Sequence, residues 1–360
     1  MLSSVPVDRK IIHCDCDCFY AAVEMRDQPS YHHRPIAIGG PANSRGVIAT
    51  CNYPAREFGV HSAMSSAQAL RACPQLLILP SRMALYKSVS AQIMAIFRRY
   101  SDCIEPLSLD EAFVDVTESI LCGGSATRIA QRIRAEVAAE VGITISAGVA
   151  PNKFIAKVAS DWRKPNGLFV VKPEEVDAFS AQLAVKKIPG IGPVNAAKLA
   201  AENIHICADL RVFTALELEH KFGRLGQSLA LRRFGLDERP VQTCRIRKSV
   251  SVENTYDQDL VTLEDCAQAL QPLYEQLMLR WQQLSAQYAV AGVVVKLKFA
   301  DFTQLTREYA TNDIELDLFQ PLLKQAFSSG NRQQQKRGVR LLGLGLKLQA
   351  PITQQQLRLF

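Results

Sequence analysis

Apolar and polar residues alternate with two different periods in the first half of the chain. Short apolar runs predict buried strands at 10–19, 35–40, 104–116 and 144–150. Apolar residues spaced three or four apart predict amphipathic helices at 84–100 and 125–141, and a further helix is predicted at 152–161. Strands that alternate with helices in this way favour an α+β sheet packed on one face by helices.

The pattern changes near residue 172. Residues 172–236 are typical of a wholly helical region, and the polar, turn-rich residues 237–244 predict a linker. Strand-like runs that alternate basic or hydroxyl residues with apolar ones follow at 245–252, 294–299 and 337–348. Helical stretches that would cover one face of this second sheet lie at 262–286 and 314–327. The chain is therefore predicted to be a multidomain α+β protein.

Composition narrows the class of protein. The 360 residues are too many for one ordinary core, so roughly two to four modules are expected. The content of 48% apolar and 21% charged residues is typical of a globular chain and excludes a disordered one. The formal net charge of +7 favours a polyanionic partner. Neither a signal peptide nor a membrane-spanning apolar run is evident, which predicts a cytoplasmic protein without a membrane partner.

Ten cysteines are present, and none forms a Cys-x-x-Cys pair. Cys14, Cys16 and Cys18 alternate along a predicted strand, so they would share the face opposite Asp15 and Asp17. A soft-metal site is one interpretation, but zinc sites usually draw on paired motifs. Small buried hydrophobic residues, with reduced thiols, are the favoured interpretation.

Acidic residues interrupt two of the apolar segments. Asp15 and Asp17 lie in the first predicted strand, and Asp110 and Glu111 are adjacent within 104–116. Isolated carboxylates are costly to bury, so such acids indicate a divalent-metal site for phosphate chemistry. The alternative is that they cap turns or pair with arginines at a surface edge. Adjacent strand residues face opposite ways, so Asp110 and Glu111 can share a site only at a turn or irregularity.

A second group of residues has the chemistry of an anion clamp. Thr50, Tyr53 and Arg56 are spaced three apart and would lie on one side of a helical turn. Their hydroxyl, phenol and guanidinium groups all donate hydrogen bonds. Lys164 would project from the turn at 164–167. An exposed amphipathic turn is the alternative.

Several later features are compatible with nucleic-acid binding. Gly190 and Gly192 form a Gly-x-Gly turn before an Ala/Lys/Leu helix, which would let backbone N–H groups approach a DNA phosphate. The strand-like runs would also carry cations along one sheet face, where they could contact phosphates or simply remain solvated. These cations are Arg245, Arg247, Lys248, Lys296, Lys298, Arg337 and Arg340. The chain ends in large apolar groups, which a partner pocket would normally receive.

Five motifs in order give the chain a close resemblance to the Y-family DNA polymerases, in their bacterial DNA polymerase IV branch. They are HCDCDCFY at 13–20, NYPAR at 52–56, SLDEA at 108–112, KPNG at 164–167 and IPGIG at 188–192. The resemblance covers residues 9–360. It implies a palm with a mixed or antiparallel sheet, small fingers, an all-helical thumb with a helix-hairpin-helix and an α/β little finger.

The resemblance also implies domain bounds. The palm would comprise 1–19 and 78–171, and the fingers 20–77. The thumb would be 172–236 with its helix-hairpin-helix at 186–200. After the linker, the little finger would be 245–349 and a clamp-binding tail 350–360.

The family's catalytic roles are expected to apply to matching residues. Asp15 and Asp110 resemble carboxylates that bridge two Mg²⁺ ions, with Glu111 as the third acidic ligand. The backbone carbonyl of Cys16 would help to hold one ion, and Asp17 is expected to be structural. The reaction implied is attack of a primer 3′-hydroxyl on a dNTP with release of pyrophosphate.

Other implied roles concern the substrates and partners. Thr50, Tyr53, Arg56 and Lys164 match triphosphate-binding positions, and Tyr20 matches a steric gate that excludes ribonucleotides. The tail residues Gln356, Leu357, Leu359 and Phe360 resemble a sliding-clamp motif. The resemblance implies a monomeric, error-prone translesion polymerase without a proofreading exonuclease.

The sequence is also compatible with two other classes of function. A catalytically silent DNA-binding scaffold would need neither the acids nor the anion clamp. A different two-metal enzyme, such as a nucleotide cyclase or a nuclease, would share the acids, but a cyclase would not need the Gly-x-Gly turn or the clamp-like tail.

Overall fold

The structure, a computed structural model, describes residues 9–330, 334 and 338–349. The chain divides into two compact units, and the division falls between Cys244 and Arg245. The strands of the first unit are β1 (Ile11–Cys16), β2 (Ile36–Gly39), β3 (Ile48–Cys51), β4 (Leu77–Leu79), β5 (Ile104–Pro106), β6 (Glu111–Asp115), β7 (Ile145–Ala150) and β8 (Leu168–Val170). Its α-helices are α1 (Phe19–Asp27), α2 (Tyr53–Glu57), α3 (Ser66–Ala72), α4 (Met83–Arg98), α5 (Ala126–Val141), α6 (Lys153–Ser160), α7 (Val176–Ala181), α8 (Pro193–Ala201), α9 (Ala215–Phe222) and α10 (Arg224–Arg232).

A mixed five-stranded sheet in the order β5-β6-β1-β7-β8 forms the centre of the first unit. β1 pairs antiparallel with β6 and β7, and β8 runs parallel to β7. Helices cover both faces rather than the single face predicted. Ile12 and Cys14 of β1 pack in the core with α4 and α5, whereas Ile11 packs in the core with α6. Side chains therefore point alternately into two different cores, which explains why every residue of this strand except the partly exposed Asp15 is buried.

The helix α6 lies directly against the sheet. A Cβ atom at Gly148 of β7 would overlap the carbonyl oxygen of Ala156 in α6, so only glycine permits this approach. The close packing matters for function because α6 carries Lys157 and Ser160 towards the odd-numbered side chains of β1.

Two predicted segments have different bounds in the structure. The first strand ends at Cys16 rather than at residue 19, so Asp17 and Cys18 lie in the turn that leads into α1. Thr50 lies in β3 and pairs with Ile38, so Thr50, Tyr53 and Arg56 do not form one helical turn. The helix α2 begins only at Tyr53, because the Asn52 side chain accepts the Ala55 N–H as its cap.

The remaining elements of the first unit surround this sheet. A smaller sheet has the order β3-β2-β4. The regular structure of residues 172–236 is helical apart from one isolated β-bridge, Ala184–Ile206, which confirms the predicted helical region. The predicted linker packs on the first unit: the Gln242 N–H donates to Glu105 at 2.8 Å, and Arg9 donates to the Asp237 carbonyl at 2.6 Å.

The second unit is a four-stranded antiparallel sheet with helices packed against one face. Its strands are β9 (Ser249–Leu260), β10 (Ala289–Phe299), β11 (Gln304–Tyr309) and β12 (Val339–Gln349), and its α-helices are α11 (Leu263–Gln268), α12 (Leu270–Gln282) and α13 (Phe319–Ser328). The sheet order is β11-β10-β12-β9. β9 begins at Ser249 rather than at residue 245, and β11 was not predicted because it is a polar edge strand with exposed residues.

The cysteines of the first strand are buried as predicted. Cys14, Cys16 and Cys18 are 0%, 3% and 7% exposed, and burial raises the pKa of each thiol above its usual range. Among the described residues, the group of His, Cys and acidic side chains that could hold a metal ion contains no cysteine. The structure therefore agrees with their interpretation as small core residues.

Candidate active site

The sheet brings the acids of two strands together. β1 and β6 pair with Asp15 opposite Glu111. The nearest ligand atoms of Asp15, Glu111 and His13 all lie within 4.8 Å of one another. Glu111 is the first residue of β6, and Asp110 lies in the bend before it. This irregularity is the one that the adjacent acids require to serve one site.

Asp110 is held by the turn that precedes β6. Its backbone carbonyl accepts the Cys16 N–H at 2.9 Å, and its side chain accepts a hydrogen bond from the Ser108 hydroxyl. These bonds tie the SLDEA motif to the end of β1. As a result, Asp110 and Asp15 face the same space although they are distant in sequence.

Asp15 and Asp110 line a cavity of about 290 Å³. The predicted ligands and gate that share its lining are Cys16, Thr50, Arg56, Lys164 and Tyr20. The cavity therefore combines two carboxylates with a hydroxyl, a guanidinium, an ammonium and a phenol ring. Glu111 and Tyr53 do not line it: Glu111 faces α6, and the Tyr53 hydroxyl faces Asp17.

The charges near Asp15 oppose one another. Burial raises the pKa of Asp15 to about 6, although the Lys164 ammonium, 2.5 Å from Asp15 Oδ1, acts to lower it. Burial lowers the pKa of Lys164, but the carboxylates of Asp15 and Asp161 outweigh that effect and raise it above its usual value. Lys164 therefore stays charged at the mouth of the site, where an anionic ligand would meet it.

Glu111 is supported by a buried network that the motifs did not predict. His13 Nε2 lies 3.2 Å from Glu111 Oε2, its Nδ1 lies 2.8 Å from the Ser160 hydroxyl, and Lys157 forms an ion pair with Glu111. Burial would raise the pKa of Glu111, but the hydrogen bonds from His13 and Lys157 lower it to about 2. Burial also lowers the pKa of His13 to about 4, so His13 is neutral and donates to the ionised Glu111. The sequence did contain one signal for this network: side chains alternate along β1, so His13, two positions before Asp15, points to the same face as Asp15.

The predicted steric gate rests on a second buried network. The ring of Tyr20 stacks on that of Tyr86 with centroids 4.3 Å apart and planes at 14°. Tyr86 is fully buried and donates to Glu24 at 2.6 Å, and Arg82 donates to the same carboxylate at 2.6 and 2.8 Å. The position of the Tyr20 ring is therefore determined by groups outside the cavity.

Asp17 makes more hydrogen bonds than a simple turn residue needs. Its carboxylate accepts from the Thr144 and Ser146 hydroxyls, both at 2.8 Å, and from the Asn166 N–H at 2.7 Å. The Tyr53 hydroxyl lies 3.4 Å away on the same carboxylate. Burial and the Asp17 charge raise the pKa of Tyr53, so its hydroxyl keeps its hydrogen.

The donor chemistry of the acids fits a divalent metal ion. Magnesium prefers carboxylate and carbonyl oxygens, and Asp15, Asp110 and Glu111 supply carboxylates from adjoining positions of one sheet. A cation would favour the ionised form of Asp15, which burial alone disfavours. His13 fits such an ion less well, because both of its ring nitrogens already have protein partners.

The two glycines of the predicted DNA-contacting turn are exposed. Gly190 has φ +93° and Gly192 precedes α8, and a Cβ at either position would meet no neighbouring atom. The backbone around this turn is therefore open to a large partner.

The predicted cations of the second unit do not all lie in strands. Arg245, Arg247 and Lys248 are exposed and precede β9, because that strand begins at Ser249. Lys296 forms an ion pair with Glu253 at 2.8 Å, so this sheet face is less basic than predicted. Arg337 and the tail residues 356–360 lie outside the described residues.

Lys298 and Arg340 flank one exposed aromatic ring. Their charged groups lie 5.1 and 4.9 Å from the centroid of Phe302. The ring holds the two cations near each other on the second unit.

Within the part of the chain that the structure describes, no helix is long and apolar enough to cross a membrane. The predicted cytoplasmic location stays a prediction.

Comparison with known proteins bears directly on the site. The impB/mucB/samB family model matches residues 14–161 and its C-terminal domain matches residues 247–359, while a DNA polymerase-iota thumb-domain model matches residues 186–237. A DNA polymerase IV of Ectopseudomonas mendocina (strain ymp) is 54% identical over 98% of this chain and 99% of the relative. A DNA polymerase IV of Shewanella halifaxensis is 51% identical over 94% of each chain.

Two solved polymerase structures are also similar to this chain. A Y-family DNA polymerase chimera of Dbh and Dpo4 aligns with a TM-score of 0.84 and 28% identity, over 94% of this chain and 98% of that chain. DinB from Sulfolobus solfataricus aligns with a TM-score of 0.63 and 28% identity, over 95% of this chain and 99% of that chain.

The fold and the acids of the cavity define a DNA-directed DNA polymerase, and the predicted fold class is confirmed. Within that class, the chain belongs to the Y family, as a translesion polymerase of the DNA polymerase IV type. Polymerases of this family depend on metal ions, and the group around Asp15 is the candidate metal-binding group of this chain.

Proposed function

We propose that the cavity between Asp15 and Asp110 is where this polymerase joins a dNTP to a DNA primer with the help of two Mg²⁺ ions. One observation carries the proposal: two carboxylates share a single cavity with Thr50, Arg56 and Lys164. Carboxylates attract divalent cations, and the hydroxyl and cationic groups attract a triphosphate. Nucleotidyl transfer from a triphosphate needs both in one cavity.

Each acid has a distinct part in this proposal. Asp15 and Asp110 would hold both ions, the Cys16 carbonyl would assist from the end of β1, and Glu111 would be a third ligand by turning its carboxylate from α6 towards Asp15, which lies within 4.8 Å of it. Bound Mg²⁺ would lower the pKa of the primer 3′-hydroxyl and neutralise the triphosphate. His13 and Lys157 keep Glu111 ionised.

The cations and hydroxyls of the cavity bind the triphosphate. Thr50, Arg56 and Lys164 already face the cavity, and Tyr53 would join them by turning its hydroxyl from Asp17. The guanidinium of Arg56 lies 4.7 Å from the centroid of the Tyr53 ring, so the two residues would move together. Tyr20, stacked on Tyr86, would occupy the space that a ribose 2′-hydroxyl needs.

We also propose bounds for the domains. The palm is 1–19 and 78–171, the fingers are 20–77, the thumb is 172–236, and the little finger is 245–349 after the linker 237–244. The division of the chain at Cys244 supports the start of the little finger. The primer-template DNA would contact Gly190 and Gly192 of the thumb. On the little finger it would contact Arg245, Arg247, Lys248, Lys296, Lys298, Arg337 and Arg340.

The tail at 350–360 is proposed to dock on a sliding clamp, with Leu359 and Phe360 as apolar anchors beside Gln356 and Leu357. Deleting 356–360 should leave basal synthesis by the monomer unchanged and abolish stimulation by the clamp. Persistent stimulation of the truncated chain would place the docking site elsewhere.

Primer extension by the purified chain tests the main proposal. A primed template of defined sequence should be extended by the complementary dNTP in Mg²⁺, and EDTA should stop the reaction. Extension that ignores the template, or that is undiminished by EDTA, would contradict it. Formation of a cyclic nucleotide or degradation of DNA would indicate a different enzyme.

A further inference from the structure

Asp17 is a buried carboxylate at the end of β1 that connects three separate elements. It is 2% exposed. Its Oδ1 accepts from Ser146 Oγ at 2.8 Å and lies 3.4 Å from the Tyr53 hydroxyl, and its Oδ2 accepts from Thr144 Oγ1 at 2.8 Å and from the Asn166 N–H at 2.7 Å. Burying an ionised carboxylate is costly unless donors surround it, and here four donors do so.

Two of the donors anchor Asp17 to the sheet, the third is the Tyr53 hydroxyl, and the fourth lies in the turn that begins with Lys164. Ser146 belongs to β7 of the central sheet, and Thr144 is the residue before that strand. Asn166 lies in the turn that begins with Lys164, and the Gly167 N–H of the same turn donates to Ser146 Oγ at 3.1 Å. The carboxylate thus connects the sheet to the lysine-bearing turn.

The Tyr53 hydroxyl has a single hydrogen, for which two acceptors can compete. Asp17 and a triphosphate are both acceptors, so the hydroxyl can donate to one of them at a time. At 3.4 Å, the bond to Asp17 is long and therefore easily exchanged for a better one. Asp17 gives the hydroxyl a partner when no nucleotide is bound and keeps the phenol near the cavity.

Asp17 does not act on the reacting atoms itself. It is absent from the lining of the cavity that contains Asp15 and Asp110, and both of its oxygens are directed at protein donors. A role as a further metal ligand would require it to give up these bonds.

We propose that Asp17 is a positioning residue for the nucleotide triphosphate, which holds the Lys164 turn against the sheet and keeps the Tyr53 phenol beside the cavity until a triphosphate takes over its hydrogen bond. The inference rests on the proposed function, because it presumes that Lys164 and Tyr53 bind the triphosphate. It predicts that Asp17 determines how tightly the nucleotide binds and has little influence on the chemical step.

The variant Asp17→Asn tests this directly. The amide has the same size but only one acceptor oxygen, so one pair of donors, either Ser146 with Tyr53 or Thr144 with Asn166, would face an NH₂ group instead of an acceptor. We expect KM for the correct dNTP to rise roughly tenfold or more, with kcat within about twofold of wild type. The dissociation constant of the dNTP, measured by fluorescence on a dideoxy-terminated primer-template, should rise by the same factor.

Asp115→Asn is the matched control. Asp115 is a half-buried acid at the other end of β6, and it accepts hydrogen bonds from both the N–H and the hydroxyl of Thr117. It lies outside the cavity of Asp15, so this variant should keep the wild-type KM. A rise in KM that the control reproduces would indicate general loosening of the sheet and would overturn the inference.

A double-mutant cycle with Tyr53→Phe tests whether Asp17 acts on nucleotide binding through Tyr53. Because the two side chains share one hydrogen bond, the combined loss of affinity should be smaller than the product of the two single losses. Strictly multiplicative losses would exclude the Tyr53 part of the proposal.

A second pair of variants covers the case in which Asp17→Asn does not fold. Thr144→Val and Ser146→Ala each remove one donor to Asp17 and leave the carboxylate in place. Each should raise KM by a smaller factor than Asp17→Asn. A melting temperature within a few degrees of that of wild type would show that each variant is folded.

The outcomes separate this inference from the function on which it rests. An unchanged KM in folded variants, or a fall in kcat at constant KM, overturns the positioning role. A wild-type chain that adds no nucleotide overturns the proposed function instead.

Discussion

The candidate active site of the first unit and the candidate DNA-contacting face of the second unit hold their charges in different ways. In the first unit the charges are partly buried in close pairs, such as Lys164 with Asp15 at 2.5 Å. In the second unit, Arg245 and Arg247 are exposed, and Lys296 forms a surface pair with Glu253. Buried charges interact strongly and depend on each partner, whereas exposed charges are screened and act as a sum.

The comparison teaches where single substitutions should matter. In the cavity, each acid has one partner network and no substitute. On the sheet of the second unit, many cations contribute small and similar amounts. The predictions below run from the largest expected effect to the smallest.

Removing a cavity carboxylate should have the largest effect. Asp110→Asn keeps an acceptor for the Ser108 hydroxyl but removes a charge from the metal-binding group. We expect the single-turnover rate of primer extension to fall by roughly 10³-fold or more, which is about 4 kcal/mol of transition-state stabilisation.

Asp102→Asn is the control for this substitution. Asp102 is an exposed acid outside the cavity, so the variant should behave as wild type. A rate for Asp110→Asn within tenfold of wild type would show that this acid is not a metal ligand.

Protonation of His13 should destabilise the first unit at low pH. Its folded-state pKa of about 4 lies below the ordinary value of 6.5, so the unfolded chain binds more protons between these values. The stability contributed by neutral His13 is therefore present above pH 6.5 and is lost as the pH falls towards 4. Between pH 7 and pH 5 the loss should be about 2 kcal/mol.

Urea denaturation at a series of pH values measures this loss. Asp15 has a raised pKa and acts in the opposite direction, so the relevant quantity is the difference between wild type and His13→Gln. Glutamine can keep hydrogen bonds to Glu111 and Ser160 but does not titrate in this range. The exposed His32, changed to Gln, is the control and should leave the pH dependence unchanged. A constant difference between wild type and His13→Gln over this range would contradict the prediction.

Removing the gate should relax sugar selectivity without abolishing synthesis. Tyr20→Ala deletes the ring that stacks on Tyr86, so the 2′-hydroxyl of a ribonucleotide meets open space. Ribonucleotide insertion relative to deoxynucleotide insertion should rise roughly 10- to 100-fold, an effect of about 1–3 kcal/mol. Tyr20→Phe keeps the ring and should keep the selectivity. If both variants discriminate as wild type does, the gate lies elsewhere.

The smallest effects are expected on the second unit. Lys298→Ala and Arg340→Ala should each weaken primer-template binding slightly, and each should lower the slope of log affinity against log salt by about 1. Lys324→Ala is the control, because Lys324 is exposed on α13, the helix that packs against the opposite face of the sheet. A salt slope that none of these variants changes would remove this face from the proposed DNA interface.

Parts of this site could be predicted because they depend on local sequence. Acids inside apolar segments indicated Asp15, Asp17, Asp110 and Glu111 as candidates, since such residues are costly to bury without a function, and the family resemblance then separated Asp17 from the other three. The period of apolar residues predicted α5 within one residue of its observed start. The capping of α2 by Asn52 was missed, and Thr50 was therefore assigned to the wrong kind of element.

Other parts depend on contacts between distant residues, which no local pattern contains. His13 and Lys157 meet at Glu111 only because Gly148 lets α6 lie close to the sheet. Tyr86 supports Tyr20 across more than sixty residues of chain.

The sequence by itself determined the fold class and the family, and it predicted the metal-binding acids, because motif order and apolar periodicity are properties of the chain alone. Only the tertiary structure decided which groups hold those acids and which side chains share the cavity. Asp17 illustrates the difference. In sequence it resembles Asp15, two positions earlier, but the packing of β7 and the Asn166 turn surrounds it with four donors. The free energy of a carboxylate depends on its neighbours in space, and folding chooses those neighbours.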